Sequence, residues 1–127
     1  ENMHGISARF PGFGVLAGAD PLLLPVLQGG GAGCITASSN VVARELRVVY
    51  DHWNDPAMAA EVKAAQDVIV AWRNLTNAYT QLPTVKTMLA KRRGDLGWLN
   101  VHPPFSPLGR DEAEKVWATM DQLEGRA

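Results

Sequence analysis

Two short apolar runs, Phe13 to Ala17 and Cys34 to Ala37, bracket a helix-forming segment in the stretch FGVLAGADPLLLPVLQGGGAGCITASSN, and this order leaves few ways to fold. Antiparallel strands can be joined by a two-residue hairpin, whereas strands separated by a helical crossover of about a dozen residues are parallel and cross over right-handed. The first run, bounded by Gly12 and Gly18, suits a strand buried on both faces. Asp20-Pro21 is a helix start: the carboxylate can cap free N–H groups, and proline at the first helical position loses no hydrogen bond. The helix runs through Leu22, Leu23, Leu24, Val26 and Leu27, with a loose or kinked first turn expected around Pro25, and stops at the glycines from Gly29.

Both runs end in small polar residues, Gly18-Ala19-Asp20 after the first and Thr36 to Asn40 after the second. In parallel sheets, open or closed, ligands bind at the carboxyl ends of the strands. Gly18 lets a ligand approach the backbone, Asp20 can accept from hydroxyls, and Thr36, Ser38 and Ser39 offer hydroxyl donors. Each has a plainer reading beside the functional one: Asp20 as a helix cap, and Ser38-Ser39-Asn40 as turn and cap chemistry. The run Gly29-Gly30-Gly31-Ala32-Gly33 is not a phosphate loop, because it follows a helix and precedes a strand, the reverse of what a phosphate needs.

The remainder is helical. Met3, Ile6 and Phe10 predict the tail of an amphipathic helix over Glu1 to Phe10, stopped by Pro11-Gly12. Ala43 to Trp53 carries Leu46, Val49, Tyr50 and Trp53 on one face. Asp55-Pro56 opens a long helix to about Gln81, with Val62, Ala65, Ile69, Trp72, Leu75 and Tyr79 as its buried stripe. Pro83 begins another, ending at Gly94 with Arg92 and Arg93 placed to complement the helix end. Trp98 to Leu108 is too rich in proline for a regular element. Asp111 to Leu123 closes as an amphipathic helix with Ala113, Val116, Trp117, Met120 and Leu123 as its apolar face.

A chain of 127 residues that is 46% hydrophobic can bury one modest core. Twelve Lys and Arg against 13 Asp and Glu give no net field for nucleic acid or an anionic membrane. The longest apolar run, Pro21 to Leu27, is too short for a membrane helix, and no charged-then-apolar leader opens the chain. The single cysteine, Cys34, reads as an inert thiol in an apolar run and points to a reducing, cytoplasmic compartment. His4, His52 and His102 are scattered, so neither a metal nor a cofactor is expected. Lys63, Lys86, Lys91 and Lys115 all fall on helices, outside the strand ends where a Schiff-base amine belongs. Two parallel strands leave both outer edges unpaired, and that predicts further strands upstream of Glu1. The missing initiator methionine fits a processed or truncated product, or part of a longer polypeptide.

VLAGADPLLLPVLQGGGAGCITASSNVVAREL, the Asp-Pro-started helix after it, LPTVKTMLAKRRG and HPPFSPL together resemble the carboxyl-terminal half of the dihydrodipicolinate synthase and N-acetylneuraminate lyase family. That family comprises pyruvate-dependent class I aldolases on a (β/α)₈ TIM barrel with a helical tail. The resemblance makes Phe13 to Ala17 the seventh barrel strand and Gly33 to Ala37 the eighth. Residues 1–53 become the last βα units of the barrel and 54–127 a helical extension. It implies that Gly18 and Asp20 line the substrate pocket, that Ile35 presents its backbone beside the Schiff base, and that Thr36 to Ser38 wall the aldehyde side. The catalytic lysine, on the sixth strand, and the catalytic tyrosine would both precede Glu1, so this chain alone would be inactive. His102 stands where the family often has arginine.

The implied partners are pyruvate or another keto acid and an aldehyde, with no nucleic acid and no membrane. Apolar faces on the tail helices suggest a homo-oligomer, a dimer or tetramer. Two further readings stay open: an aldolase or dehydratase acting on a 2-keto-3-deoxy sugar acid, and a non-catalytic helical interaction module using Trp53, Tyr79 and Trp98.

Overall fold

The computed structural model describes residues 2–125; Glu1, the first residue of the expected helix tail, lies outside them, as do the side chains of Asn2 and His4. By contact the chain divides into two units, residues 1–70 and 71–127.

The first unit is built on a parallel strand pair. Helix α1 (Asn2–Arg9) ends before Pro11-Gly12, as the sequence requires. Strand β1 (Leu16–Ala17) pairs in parallel with β2 (Gly33–Cys34), Leu16 opposite Gly33 and Ala17 opposite Cys34. Two bonds extend the ladder beyond these bounds, from the Ala32 amide to the Val15 carbonyl at 2.8 Å and from the Ile35 amide to the Ala17 carbonyl at 3.0 Å. Both strands are shorter than the apolar runs that mark them. Phe13 and Leu16, expected on a doubly buried strand, are 63% and 46% exposed, because two strands cover only one face and each keeps a bare edge.

The crossover is a 3-10 turn at Asp20–Leu22 followed by α2 (Leu23–Gln28), so the loose first turn lies before Leu23 and Pro25 continues the α-helix. Leu23, Val26 and Leu27 are buried on it. The glycines after it are consumed locally: the amides of Gly29, Gly30 and Gly31 bond to the carbonyls of Pro25, Leu27 and Val26 at 3.0, 3.1 and 2.8 Å.

Helix α3 (Ser39–His52) starts four residues earlier than its amphipathic pattern, with a non-helical residue at Val42. Leu46 and Val49 are buried, but Tyr50, expected on the same buried face, is 44% exposed and stacks under Arg47. Asp55 caps the following 3-10 turn (Pro56–Met58) by accepting from the Ala57 amide at 2.9 Å, the cap-then-proline start the sequence announced. Helix α4 (Ala59–Thr76) ends five residues short of the expected Gln81, and Tyr79 therefore lies beyond it. Val62, Ala65 and Ile69 are buried along it, and Gln66 Nε2 donates to the Pro21 carbonyl at 2.8 Å.

In the second unit Trp72 and Leu75 continue that stripe, buried. Helix α5 (Gln81–Arg93) begins two residues before Pro83 and ends on Gly94, whose φ of 62° is the left-handed cap that glycine supplies most cheaply. Arg92 stacks on Trp72 and bonds Glu124 at 3.0 Å, while Arg93 stacks on Trp98, so these arginines serve packing as well as the helix end. A 3-10 turn at Leu96–Leu99 leads into the proline-rich segment. Helix α6 (Arg110–Glu124) buries Ala113, Val116 and Met120, with Trp117 and Leu123 only half-buried at the margin of that face.

Candidate functional site

The five residues singled out from the sequence all follow the carboxyl ends of the parallel strands, and three of them, Asp20, Thr36 and Ser38, are joined by hydrogen bonds. Asp20 follows β1, is fully buried, and accepts Thr36 Oγ1 on Oδ1 and Ser38 Oγ on Oδ2. The chain bends at Ala37 and turns at Ser38 into the next helix, and across that bend both hydroxyls reach the same carboxylate. The helix-cap reading of Asp20 is therefore corrected. Ala19 is the N-cap residue, Asp20 sits one position inside, and no side chain caps that turn. Two charge-assisted bonds inside the fold outweigh one cap bond at its edge.

Thr36 closes the loop into α3. Its hydroxyl accepts from the Ser39 amide at 3.2 Å, and its carbonyl accepts from Ser39 Oγ at 2.6 Å. Asn40 Nδ2 donates to the Ala37 carbonyl at 2.9 Å, and the Ser38 carbonyl receives the Val41 amide at 2.9 Å. Ser38 is fully buried and Thr36 half-buried. The turn chemistry proposed for Ser38-Ser39-Asn40 is present, and it is built around Asp20.

Gly18 and Ile35 lie open. A β-carbon on Gly18 would meet no atom within 4 Å, so the backbone there is approachable. Ile35 is 74% exposed; its amide is spent on Ala17, and its carbonyl accepts no hydrogen bond among the described residues.

Sequence reasoning treated Cys34 apart from this cluster. Its thiol is only half-buried, and its pKa is raised, first by burial and second by the negative charge of Asp20. Beside Cys34 an apolar groove of about 360 Å³ runs past Leu16, Gly33, Leu46 and Tyr50. Among the described residues no three His, Cys, Asp or Glu side chains group to hold a metal, and no helix is long and apolar enough to cross a membrane.

A parallel β-α-β unit with an acid and hydroxyls assembled at its carboxyl ends defines part of an α/β protein, a class whose ligand sites lie at that rim. The chain belongs to the dihydrodipicolinate synthetase family, whose model matches residues 2–123. It is 30% identical over 123 residues to an uncharacterized DapA-like lyase of Chloroflexus aurantiacus, across 97% of this chain and 40% of the relative. It is 29% identical over 111 residues to the 4-hydroxy-tetrahydrodipicolinate synthase of Bacillus subtilis, covering 87% and 37%. Among solved structures it resembles the 4-hydroxy-tetrahydrodipicolinate synthase of Methylacidiphilum fumariolicum SolV, with a TM-score of 0.81 at 23% identity, over 98% of this chain and 41% of that one. It is also similar to YagE, a prophage protein of the dihydrodipicolinic acid synthase family from E. coli K12 in complex with pyruvate, with a TM-score of 0.82 at 24% identity, over 96% and 41%. The chain thus spans about two fifths of the length of these relatives, and its parallel strand pair with helices is consistent with part of a TIM barrel.

Proposed function

We propose that these residues are the carboxyl-terminal portion of a Schiff-base-forming, pyruvate-dependent lyase or aldolase of the dihydrodipicolinate synthase type. In this reading β1 and β2 are the seventh and eighth barrel strands, residues 1–53 end the barrel and residues 54–127 form its helical extension. The observation that carries it is the hydroxyl-carboxylate cluster of Asp20, Thr36 and Ser38 at the ligand end of a parallel pair, in a chain of this family. The bare edges of the pair, the exposed Phe13, Leu16 and Ile35, and the apolar groove beside β2 fit the contacts of six further strands.

In the intact enzyme a lysine amine attacks the keto carbon of pyruvate and expels water, and the protonated imine accepts the electron pair when a carbon–carbon bond is made or broken. A tyrosine moves the proton. Both come from the preceding portion. The residues present here shape the far side of the pocket: Gly18 leaves room at the backbone, Ile35 offers its open carbonyl near the imine, and the Asp20 cluster fixes the wall beside the aldehyde. Their contribution is orientation.

Trapping with pyruvate and borohydride tests this. The 127 residues alone give no adduct, whereas the intact polypeptide that carries them gives one, on a lysine that precedes Glu1. An adduct on Lys63, Lys86, Lys91 or Lys115 overturns the assignment, as does an intact polypeptide that forms none.

A further inference from the structure

Helix α2 lacks one of its own donors. In an α-helix the Pro21 carbonyl accepts the amide four residues on, but residue 25 is proline and has no N–H. A donor comes from another helix instead: Gln66 Nε2, on α4 and 45 residues further along, reaches that carbonyl at 2.8 Å. A carbonyl can only accept, so the amide nitrogen must face it. Gln66 Oε1 is then left buried, with no hydrogen bond among the described residues. An unpaired buried oxygen weakens a fold, and methionine, close to glutamine in shape, would strand none there; stability alone does not account for a glutamine at 66.

Pro21 stands next to Asp20 in the 3-10 turn Asp20–Leu22, and Asp20 in turn holds Thr36 and Ser38. Because the peptide unit is planar, a held carbonyl fixes the path of the turn one residue from that carboxylate. We propose that Gln66 is a positioning residue: from α4 it pins, through the Pro21 carbonyl that Pro25 leaves without its helical donor, the turn carrying Asp20, and so sets the strand-end wall that orients the second substrate. Gln66 does no chemistry itself and acts through Pro21 and Asp20. This deepens the imine-forming reading and rests on it.

In the 127-residue chain, Gln66→Met speeds hydrogen exchange of the Ser39 amide, which donates to Thr36 Oγ1, by about tenfold, the worth of one net hydrogen bond. The Ile35 amide, bonded to the Ala17 carbonyl across the strand pair, exchanges as before. Pro25→Ala supplies the missing amide, so Q66M combined with it returns Ser39 toward the wild-type rate. Equal acceleration at both amides is general loosening and overturns the inference, as does a double variant no slower than Q66M. In the intact polypeptide that carries this chain, pyruvate trapping survives Q66M, while kcat/KM for the aldehyde falls about tenfold, chiefly through KM, and Pro25→Ala restores it. The aldehyde is whichever of glyceraldehyde, succinic semialdehyde and propionaldehyde wild type consumes fastest. Trapping lost together with aldehyde turnover, or a KM unmoved, overturns the inference alone. A wild type that traps no pyruvate overturns the imine-forming reading, and the Ser39 exchange still decides whether Gln66 holds the turn.

Discussion

Gly31 lies so close under Val26 that a β-carbon at position 31 would fall 2.3 Å from Val26 Cγ1, 2.9 Å from the Val26 carbonyl and 3.0 Å from the Val15 carbonyl. The side-chain contact could be relieved by rotation, but the two carbonyls belong to the end of α2 and the approach to β1. The Gly31 amide donates to the same Val26 carbonyl, so the backbones are drawn together there. Gly31→Ala should cost about 1–3 kcal/mol, the range for overpacking a well-filled site. Urea unfolding gives the number. If Val26→Ala in the same chain restored full stability, the backbone contacts would not be the cause.

Burial and the charge of Asp20 raise the Cys34 thiol above its ordinary range, and this makes stability depend on pH on the alkaline side. As pH rises, the unfolded thiol ionises first, so the folded chain holds more protons and stability falls. The contribution is complete below the unfolded thiol's pKa and is lost as pH climbs through the folded one. Equilibrium unfolding between neutral and strongly alkaline pH, under reducing conditions, should therefore show a decline that Cys34→Ala flattens. Asp20→Asn removes the second cause and should lower the pH at which Cys34 reacts with a thiol reagent. An unchanged profile in D20N would break the coupling between the two residues.

These two sites show what the sequence could and could not convey. The parallel pair and its crossover were legible because they follow from local signals: apolar runs, Asp20-Pro21 and the glycines, each acting within a few residues. The Asp55 cap and the Gly94 stop were legible for the same reason. The role of Asp20 was not, because a capping acid and an acid clamped by two hydroxyls look alike until Thr36 and Ser38, 16 and 18 residues away, are seen on the same side. Helix ends drifted where pattern and hydrogen bonding disagree. The apolar stripe of α4 continues in register to Tyr79, but the helix stops at Thr76, whose hydroxyl turns back onto the Arg73 carbonyl at 2.9 Å. The exposed face of Phe13, Leu16 and Ile35 could not be foreseen from hydrophobicity, which records that a residue seeks cover and not what supplies it.

Gly94 ends α5 with φ at 62°, and its amide bonds to the Lys91 carbonyl at 3.2 Å. A β-carbon there meets nothing within 4 Å, so any penalty for adding one is conformational and not steric against neighbours. Gly94→Ala should cost about 1 kcal/mol, and Gly94→Asn less, since asparagine tolerates the left-handed region. Thermal melts of the two variants would separate these, and equal losses would refute the conformational account.

Helices α5 and α6 are joined by polar and apolar contacts whose magnitudes predict an order of importance. Trp117 Nε1 donates to the Thr87 carbonyl at 2.9 Å, and Lys91 Nζ reaches both the Trp117 carbonyl at 2.8 Å and Asp121 at 2.6 Å. The Asp121 side chain is 65% exposed, so the ion pair is worth under about 1 kcal/mol and weakens with salt. The indole bond contributes about 1 kcal/mol, because Trp117→Phe keeps most of the ring and loses only the donor. Met120, at 0% exposure on the same helix, has no solvent to fill its place, and Met120→Ala should cost about 2–5 kcal/mol. Destabilisation should therefore rank M120A above W117F and Asp121→Asn, with only D121N sensitive to added salt. A D121N loss equal to that of M120A would mean the charges, and not the buried apolar face, hold these helices together.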